Sequence, residues 1–390
     1  MQHQYCASVT TGRGATVRRM DDPASFSIRE IELGDEFARY SPIRRLFQEI
    51  RYAALALKAI RSARPDVALF SNVPIIPLTL VSLGLKLSRT PFVFWWQDVY
   101  SEAAGSIAKK KAGSLGALAA RLFATLERST AKRSAAIVPI TDSFIDCLNE
   151  WNIGGDKVTV IPNWGALNEV TPRAKDNAWS RAHGLSDVNV VMYAGTLGLK
   201  HDPSLIAELA ESVGDNCRIV VVSQGKGREW LEEHCSGNPR VVLLDFQPYE
   251  DLPDMLASAD VLLAILEQDA SRYSVPSKVL NYLCAGRPVL ALLPTENAVA
   301  QTIVTADAGI VIPPDKRGEA AKALNRLLSD PPLRDTMGSN ARHYAEMTFD
   351  IRSIADSFEC VIVHAVGGTT SEAIAAQQQA SIAPPRDSQH

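Results

Sequence analysis

The feature that most constrains this chain is a set of short runs that are apolar at all positions but Thr159, Asn189 and Arg218: residues 67–70, 92–96, 136–140 and 158–161, then 188–193, 217–222, 241–244, 261–265 and 289–293. A strand with no polar alternation has no wet face, so it must be covered on both sides. Helix-length stretches separate the runs, at 75–87, 114–133 and 142–151 in the first series and at 203–213, 249–257, 298–304 and 318–328 in the second. Runs alternating with helices predict an α/β fold with parallel sheets. The first series ends at Pro162-Asn163-Trp164-Gly165, and a polar stretch reaches Asp187 before the second begins. Two doubly wound domains follow, 1–165 and 166–349, as 390 residues exceed one ordinary core. A last helix is predicted over 350–366, crossing back to the first domain, and a disordered tail over 367–390.

A Rossmann-like half normally opens on an apolar strand and a glycine-rich turn. No such strand is read in the first forty residues, where Gly12 and Gly14 follow polar residues. The expectation is a first domain without its first β-α unit, the chain starting inside the fold.

Several function classes are disfavoured. The six cysteines are scattered without a CxxC pair, which argues against a disulfide framework or a zinc site and fits a reducing cytoplasm. Residues 1–19 lack the apolar core of a secretory leader. The longest apolar run, 74–87, falls short of the roughly 20 residues a spanning helix needs. Residues 1–170 carry 21 Lys and Arg against 16 Asp and Glu, whereas the whole chain has a net charge of −4. The basic half suits an anionic partner. Residues 43–64 form a plausible amphipathic helix with Arg44, Arg51, Lys58, Arg61 and Arg64, and Lys109, Lys110 and Lys111 add a cluster. With Trp95 and Trp96 nearby, these suit an anionic membrane surface, or else a plain solvated face. Nucleic acid fits poorly, without an aromatic platform.

The second half carries the chemistry. Ser274-Val275-Pro276-Ser277-Lys278 leads from a loop into a helix through Asn281, a place where free N–H groups and a lysine favour an anion such as a diphosphate. The alternative is a plain N-cap with Lys278 in solvent. At Gly195-Thr196-Leu197-Gly198 a strand ends in glycines that allow close backbone approach, with Lys200 following, or else makes an ordinary tight turn. Gly225 and Lys226 sit in a second glycine turn whose spacing does not match the dinucleotide fingerprint. Asp98 lies past a strand end, where a carboxylate either orients an acceptor hydroxyl or caps the next helix.

Trp96-Gln97-Asp98-Val99-Tyr100-Ser101-Glu102, Val160-Ile161-Pro162-Asn163, Tyr193 to Gly198, Pro248 to Asp260 and Val275 to Ala291 together resemble the retaining glycosyltransferases of family 4, especially bacterial ones that build surface polysaccharides. The resemblance implies a GT-B fold, two Rossmann-like domains facing a central cleft. It also implies a nucleoside-diphosphate sugar as donor, a lipid-linked or saccharide acceptor, no cofactor or metal, and work at the inner face of the plasma membrane. Carried over by position, the catalytic set is Lys200, Lys278 and Asp98. The donor set is Gly195, Thr196, Leu197, Gly225, Lys226, Tyr273, Ser274, Val275, Pro276, Ser277 and Asn281. The chain departs from the family where Thr196 replaces a basic residue, where Tyr273 and Asn281 replace two glutamates, and beside Gln97, where relatives carry histidine. Glu267 and Asp269, just upstream, are the candidates for the sugar contact. Two rivals stand beside transfer: a sugar-nucleotide epimerase of the same architecture, and a non-catalytic nucleotide-sugar binder.

Overall fold

The computed structural model describes residues 3–8, 20, 22–31, 33–34, 38, 41–71, 73–198, 201–267 and 275–367, with backbone alone at 3–8, 103–112 and 115. The chain forms two compact units, Met1–Ile161 with Asp356–His390, and Pro162–Ala355.

The first unit opens with β1 (His3–Ser8) and β2 (Phe26–Ile31), paired parallel in a sheet of their own. This corrects the expectation of no strand before residue 40. The signal is weak because β2 alternates between half-buried and exposed positions instead of running apolar throughout. Helix α1 (Pro42–Ala63) packs on both strands, with proline at its first turn. A three-stranded parallel sheet, order β3-β4-β5, follows from β3 (Ala68–Ser71), α2 (Ile75–Ser88), β4 (Phe92–Trp96), α3 (Tyr100–Arg133) and β5 (Ala136–Pro139). Helix α3 is broken at Gly113, whose φ of 51° and ψ of −121° are not helical. The residues predicted as a strand at 158–161 add only a fringe after α4 (Ile145–Glu150): the Thr159 N–H donates to the Ile137 carbonyl at 3.1 Å and the Ile161 N–H to the Pro139 carbonyl at 3.0 Å.

The second unit is a six-stranded parallel sheet covered on both faces. After α5 (Ala178–Ala182) the chain makes β6 (Asn189–Ala194), α6 (Ser204–Ser212), β7 (Cys217–Val222), α7 (Lys226–His234), β8 (Val241–Leu244), α8 (Leu252–Ala257), β9 (Val261–Ile265), α9 (Lys278–Cys284), β10 (Val289–Leu292), α10 (Ala298–Thr305), β11 (Gly309–Ile312), α11 (Arg317–Ser329) and α12 (Pro331–Thr348). Strand order β11-β10-β9-β6-β7-β8 places the switch point beside β6, and the carboxyl end of such a switch is where open α/β sheets bind ligands. Successive β6 residues point to opposite faces: Val190 and Met192 enter one core, Val191 and Tyr193 the other. The last helix, α13 (Ile351–Ala365), runs from the second unit into the first, where Phe358 stacks edge-on against Trp95 at 4.9 Å. Trp96 is buried against Phe144 and Trp151. Trp96 therefore belongs to the core of the first unit, while Trp95 is half-buried against Phe358.

Candidate functional site

The site is built where β6 ends. Gly195 has a φ of +135°, outside the ordinary range of a residue with a Cβ, and its N–H donates to the Val222 carbonyl at 2.9 Å. The chain then turns through Thr196 and Leu197. Leu197, expected among the donor contacts, is instead a core residue: its side chain is fully buried, its N–H donates to the Gln224 carbonyl at 3.1 Å, and its own carbonyl accepts from Gly227 N–H at 3.0 Å. These bonds join the first glycine turn to the second. A Cβ on Gly227 would lie 2.6 Å from Leu197 Cγ, and one on Gly225, with φ +108°, would lie 3.1 Å from the Leu197 carbonyl oxygen. Both glycines are thus explained by close packing of the two turns. Lys226, the first residue of α7, is exposed beside them.

Helix α9 brings the lysine. Its buried residues Val279, Tyr282 and Leu283 recur at helical spacing and seat it on the sheet. Tyr282 locks it to the end of β6, its hydroxyl accepting from the Ala194 N–H at 2.9 Å and donating to the Ala194 carbonyl at 3.1 Å. One turn earlier on the same face, Lys278 reaches back toward Gly195. Its Nζ lies 3.6 Å from the centroid of the Tyr193 ring, buried, with no hydrogen-bond acceptor among the described residues. A solvated lysine is excluded. A Cβ at position 195 would stand 3.1 Å from Lys278 Cε and 3.3 Å from Nζ, so the glycine also makes room for the lysine. Burial pushes the Lys278 ammonium down to about 7. Burial likewise raises the Tyr193 phenol, which donates to the Thr196 carbonyl at 2.9 Å.

One small region thus gathers Gly195, Thr196, Leu197, Gly225, Lys226 and Lys278. Pro276 and Val275 are half-buried before α9, Ser277 is exposed at its start, and Asn281 is half-buried one turn on. Lys200, Asp269, Tyr273 and Ser274 lie outside the described residues. Arg228, two residues after Lys226, is mostly buried and paired with Glu232 and Asp245. Chemically, a buried ammonium without an acceptor beside a glycine turn is suited to receive an anion, with charge-assisted hydrogen bonds stronger than neutral ones.

Asp98 is exposed in the first unit, past the end of β4. The start of α3 is held by Glu127, which the sequence reading missed because it lies 26 or more residues away. Fully buried, Glu127 accepts from the Trp96 indole N–H at 3.0 Å, the Tyr100 N–H at 3.0 Å and the Ser101 N–H at 2.8 Å. Burial raises its pKa against the pull of these donors. Beside it, Gln97 donates to the Ser71 hydroxyl at 2.8 Å, tying the end of β4 to that of β3. Among the described residues no group of three His, Cys, Asp or Glu could hold a metal ion.

Known proteins resemble this chain over both units. Residues 175–344 match the family of glycosyl transferases group 1, and residues 7–164 match the glycosyl transferase 4-like domain. Alpha-D-kanosaminyltransferase of Streptomyces kanamyceticus is 25% identical over 59% of this chain, which spans 60% of that protein. Lipopolysaccharide glucosyltransferase WaaG of Escherichia coli strain K12 is 26% identical over 70% of this chain and 75% of its own length. Among solved structures, Anabaena HepE in complex with UDP superposes with a TM-score of 0.66 at 15% identity, covering 86% of this chain and 85% of that one.

Proposed function

Because this chain belongs to the family 4-type glycosyltransferases of GT-B fold, we propose that it moves a sugar from a nucleoside-diphosphate donor to a lipid-linked or saccharide acceptor in surface-polysaccharide synthesis, with retention and without a metal. The observation that carries this reading is the buried, acceptor-free ammonium of Lys278 facing Gly195 at the switch point of the second sheet. When the bond between the anomeric carbon and the diphosphate breaks, its electron pair stays on the diphosphate oxygen. Lys278 is placed to neutralise that charge, the commonest large contribution in such sites. Lys200 and the amides near Thr196 and Ser277 would share the load, Lys226 and Asn281 would face the nucleoside side, and Asp98 would orient the acceptor hydroxyl, whose oxygen forms the new bond as its proton passes to the departing diphosphate oxygen. The glucosyl and kanosaminyl transferases among the relatives support transfer.

The acceptor end has separate support. No helix among the described residues is long and apolar enough to cross a membrane. On α1, however, Ile43, Leu46, Phe47 and Ile50 recur at helical spacing and all face solvent, with Ile43 72% and Phe47 67% exposed, while Arg44 and Arg51 flank them. An apolar stripe with basic borders suits the headgroup layer of an anionic membrane, where a lipid-linked acceptor resides.

The test is incubation with a panel of nucleotide sugars, following release of the nucleoside diphosphate with and without acceptor. Acceptor-dependent release with an unchanged anomeric configuration in the product is expected. Reversible isomerisation of the donor, or binding without turnover, would replace transfer with an epimerase or a binding protein. For the site itself, Lys278→Ala is expected to weaken UDP binding by about 1.5–3 kcal/mol, the value of a hydrogen bond to a charged group. Unchanged affinity by calorimetry would remove Lys278 from the donor site.

A further inference from the structure

Burying an ammonium is costly unless something compensates it, and Lys278 Nζ is buried with no hydrogen-bond acceptor among the described residues. Among the described residues no charged group shifts it: Tyr193 and Gly195 approach it from β6 and its turn, and burial lowers the ammonium's pKa. What remains is the face of an aromatic ring. The Nζ stands 3.6 Å from the Tyr193 centroid, well inside the roughly 6 Å range of cation–π attraction. The ring is itself fixed, because Tyr193 is fully buried and its hydroxyl donates to the Thr196 carbonyl in the glycine turn.

We infer that Tyr193 is a positioning residue for Lys278: its ring face holds the ammonium, charged and aimed at the Gly195 turn, before any anion arrives. The inference rests on the proposed donor site and adds the means by which that site is kept ready. The same tyrosine then links both halves of the site, since its ring carries the lysine and its hydroxyl braces the turn. The ring satisfies one side of the ammonium by attraction to its negative face, but it is not a hydrogen-bond acceptor. The N–H groups therefore remain available to oxygens of a phosphate approaching from the turn. Mere core filling would explain the burial of Tyr193, but would give no reason for the lysine to lie over its centre.

The test separates shape from ring electronics. Tyr193→Phe keeps the ring and removes the hydroxyl, and mono-, di- and pentafluorinated phenylalanine at position 193 progressively cancel the negative face at nearly constant shape. The titration of Lys278 is followed in the ligand-free full chain by NMR of lysine labelled at Cε, the signal assigned by its loss in Lys278→Met. The midpoint is expected to stay within a few tenths of a pH unit in Tyr193→Phe. Along the fluorinated series it should fall stepwise by about one pH unit in total, the size of a desolvated cation–π contact. UDP affinity should then be lost at correspondingly lower pH in the same proteins. A midpoint that does not move with fluorination overturns the inference, and because the mono- and difluorinated rings barely change volume, misfolding of the pentafluorinated chain alone leaves the trend readable. The donor-site reading fails separately, if Lys278→Ala binds UDP as the unaltered chain does.

Discussion

At the scale of single residues, the cost of Lys278 is measurable apart from its use. Its conjugate acid is pushed from 10.5 down to about 7 by burial. Below pH 7 the folded and unfolded chains both carry the proton, and the folded state bears the full penalty. Between about 7 and 10.5 the unfolded chain binds more protons than the folded one, so this residue makes stability rise with pH. Lys278→Met removes the penalty at similar volume. It is expected to raise stability in urea by about 1–3 kcal/mol at pH 6, with the gain shrinking toward pH 10, while UDP binding falls. A gain independent of pH, or none, would mean that the ammonium finds an acceptor in solution. The lysine itself was legible in the sequence from its place at a helix start. Its burial was not, because that depends on Gly195 and Tyr193, 83 or more positions earlier, and Tyr193 reads only as another apolar strand residue.

At the scale of elements, continuous apolar runs were reliable guides: the strands at 217–222, 241–244 and 261–265 fall where their residues predict them. Elements stabilised by particular tertiary contacts were not. Helix α12 escaped notice because Gly338 stands in its middle, an unfavourable helix residue by propensity. The structure gives the reason, since a Cβ there would come within 2.4 Å of the Gly286 carbonyl oxygen, so the helix packs backbone to backbone. The start of α3 makes the same point with charge. Its N-cap, Val99, has no side-chain acceptor to offer, and the distant Glu127 supplies both oxygens to the Tyr100 and Ser101 amides. Glu127→Ala would leave these two amides and the Trp96 indole without partners. We expect a loss of about 3 kcal/mol or more in chemical unfolding. Glu127→Gln, which keeps one acceptor oxygen, should recover part of it. In the second unit, Gly227→Ala must displace Leu197 and with it the turn at Gly195. A cost of about 1–3 kcal/mol is expected, together with weaker UDP binding measured by calorimetry, whereas stability and binding that both stay unchanged would show that the two turns are not coupled.

At the scale of the whole molecule, the division of labour between the units makes the surface reading separable from the donor site. The proposed anion site belongs entirely to Pro162–Ala355, whereas α1 belongs to the other unit. Charge asymmetry along the sequence pointed to an anionic partner for the first half, but of the aromatics read beside it Trp96 is committed to the core and Trp95 is half-buried against Phe358. On α1, whose buried positions are Gln48, Glu49, Ala53, Ala56 and Ala59, the apolar residues Ile43, Leu46, Phe47 and Ile50 are exposed. A helix that buries Gln48 and Glu49 while exposing Phe47 reverses the ordinary pattern of a soluble surface helix. Glu49 is compensated by Arg45 at 2.7 Å, and the Gln48 amide oxygen by the Ala38 N–H at 2.9 Å, so the reversal is built in. Binding to vesicles should therefore need both chemistries at once. The double variant Ile43→Ser with Phe47→Ser is expected to lose about 2–4 kcal/mol of vesicle affinity through apolar area left out of the interface. Arg44→Glu with Arg51→Glu should lose about 1 kcal/mol or more per position on anionic vesicles, and less at high salt. Because both pairs belong to the first unit and the proposed anion site to the second, UDP affinity is expected to stay unchanged in both. Co-sedimentation with anionic and with neutral vesicles reads the comparison: equal binding to both lipids, or binding insensitive to the two serines, would assign α1 to a protein partner in place of the bilayer.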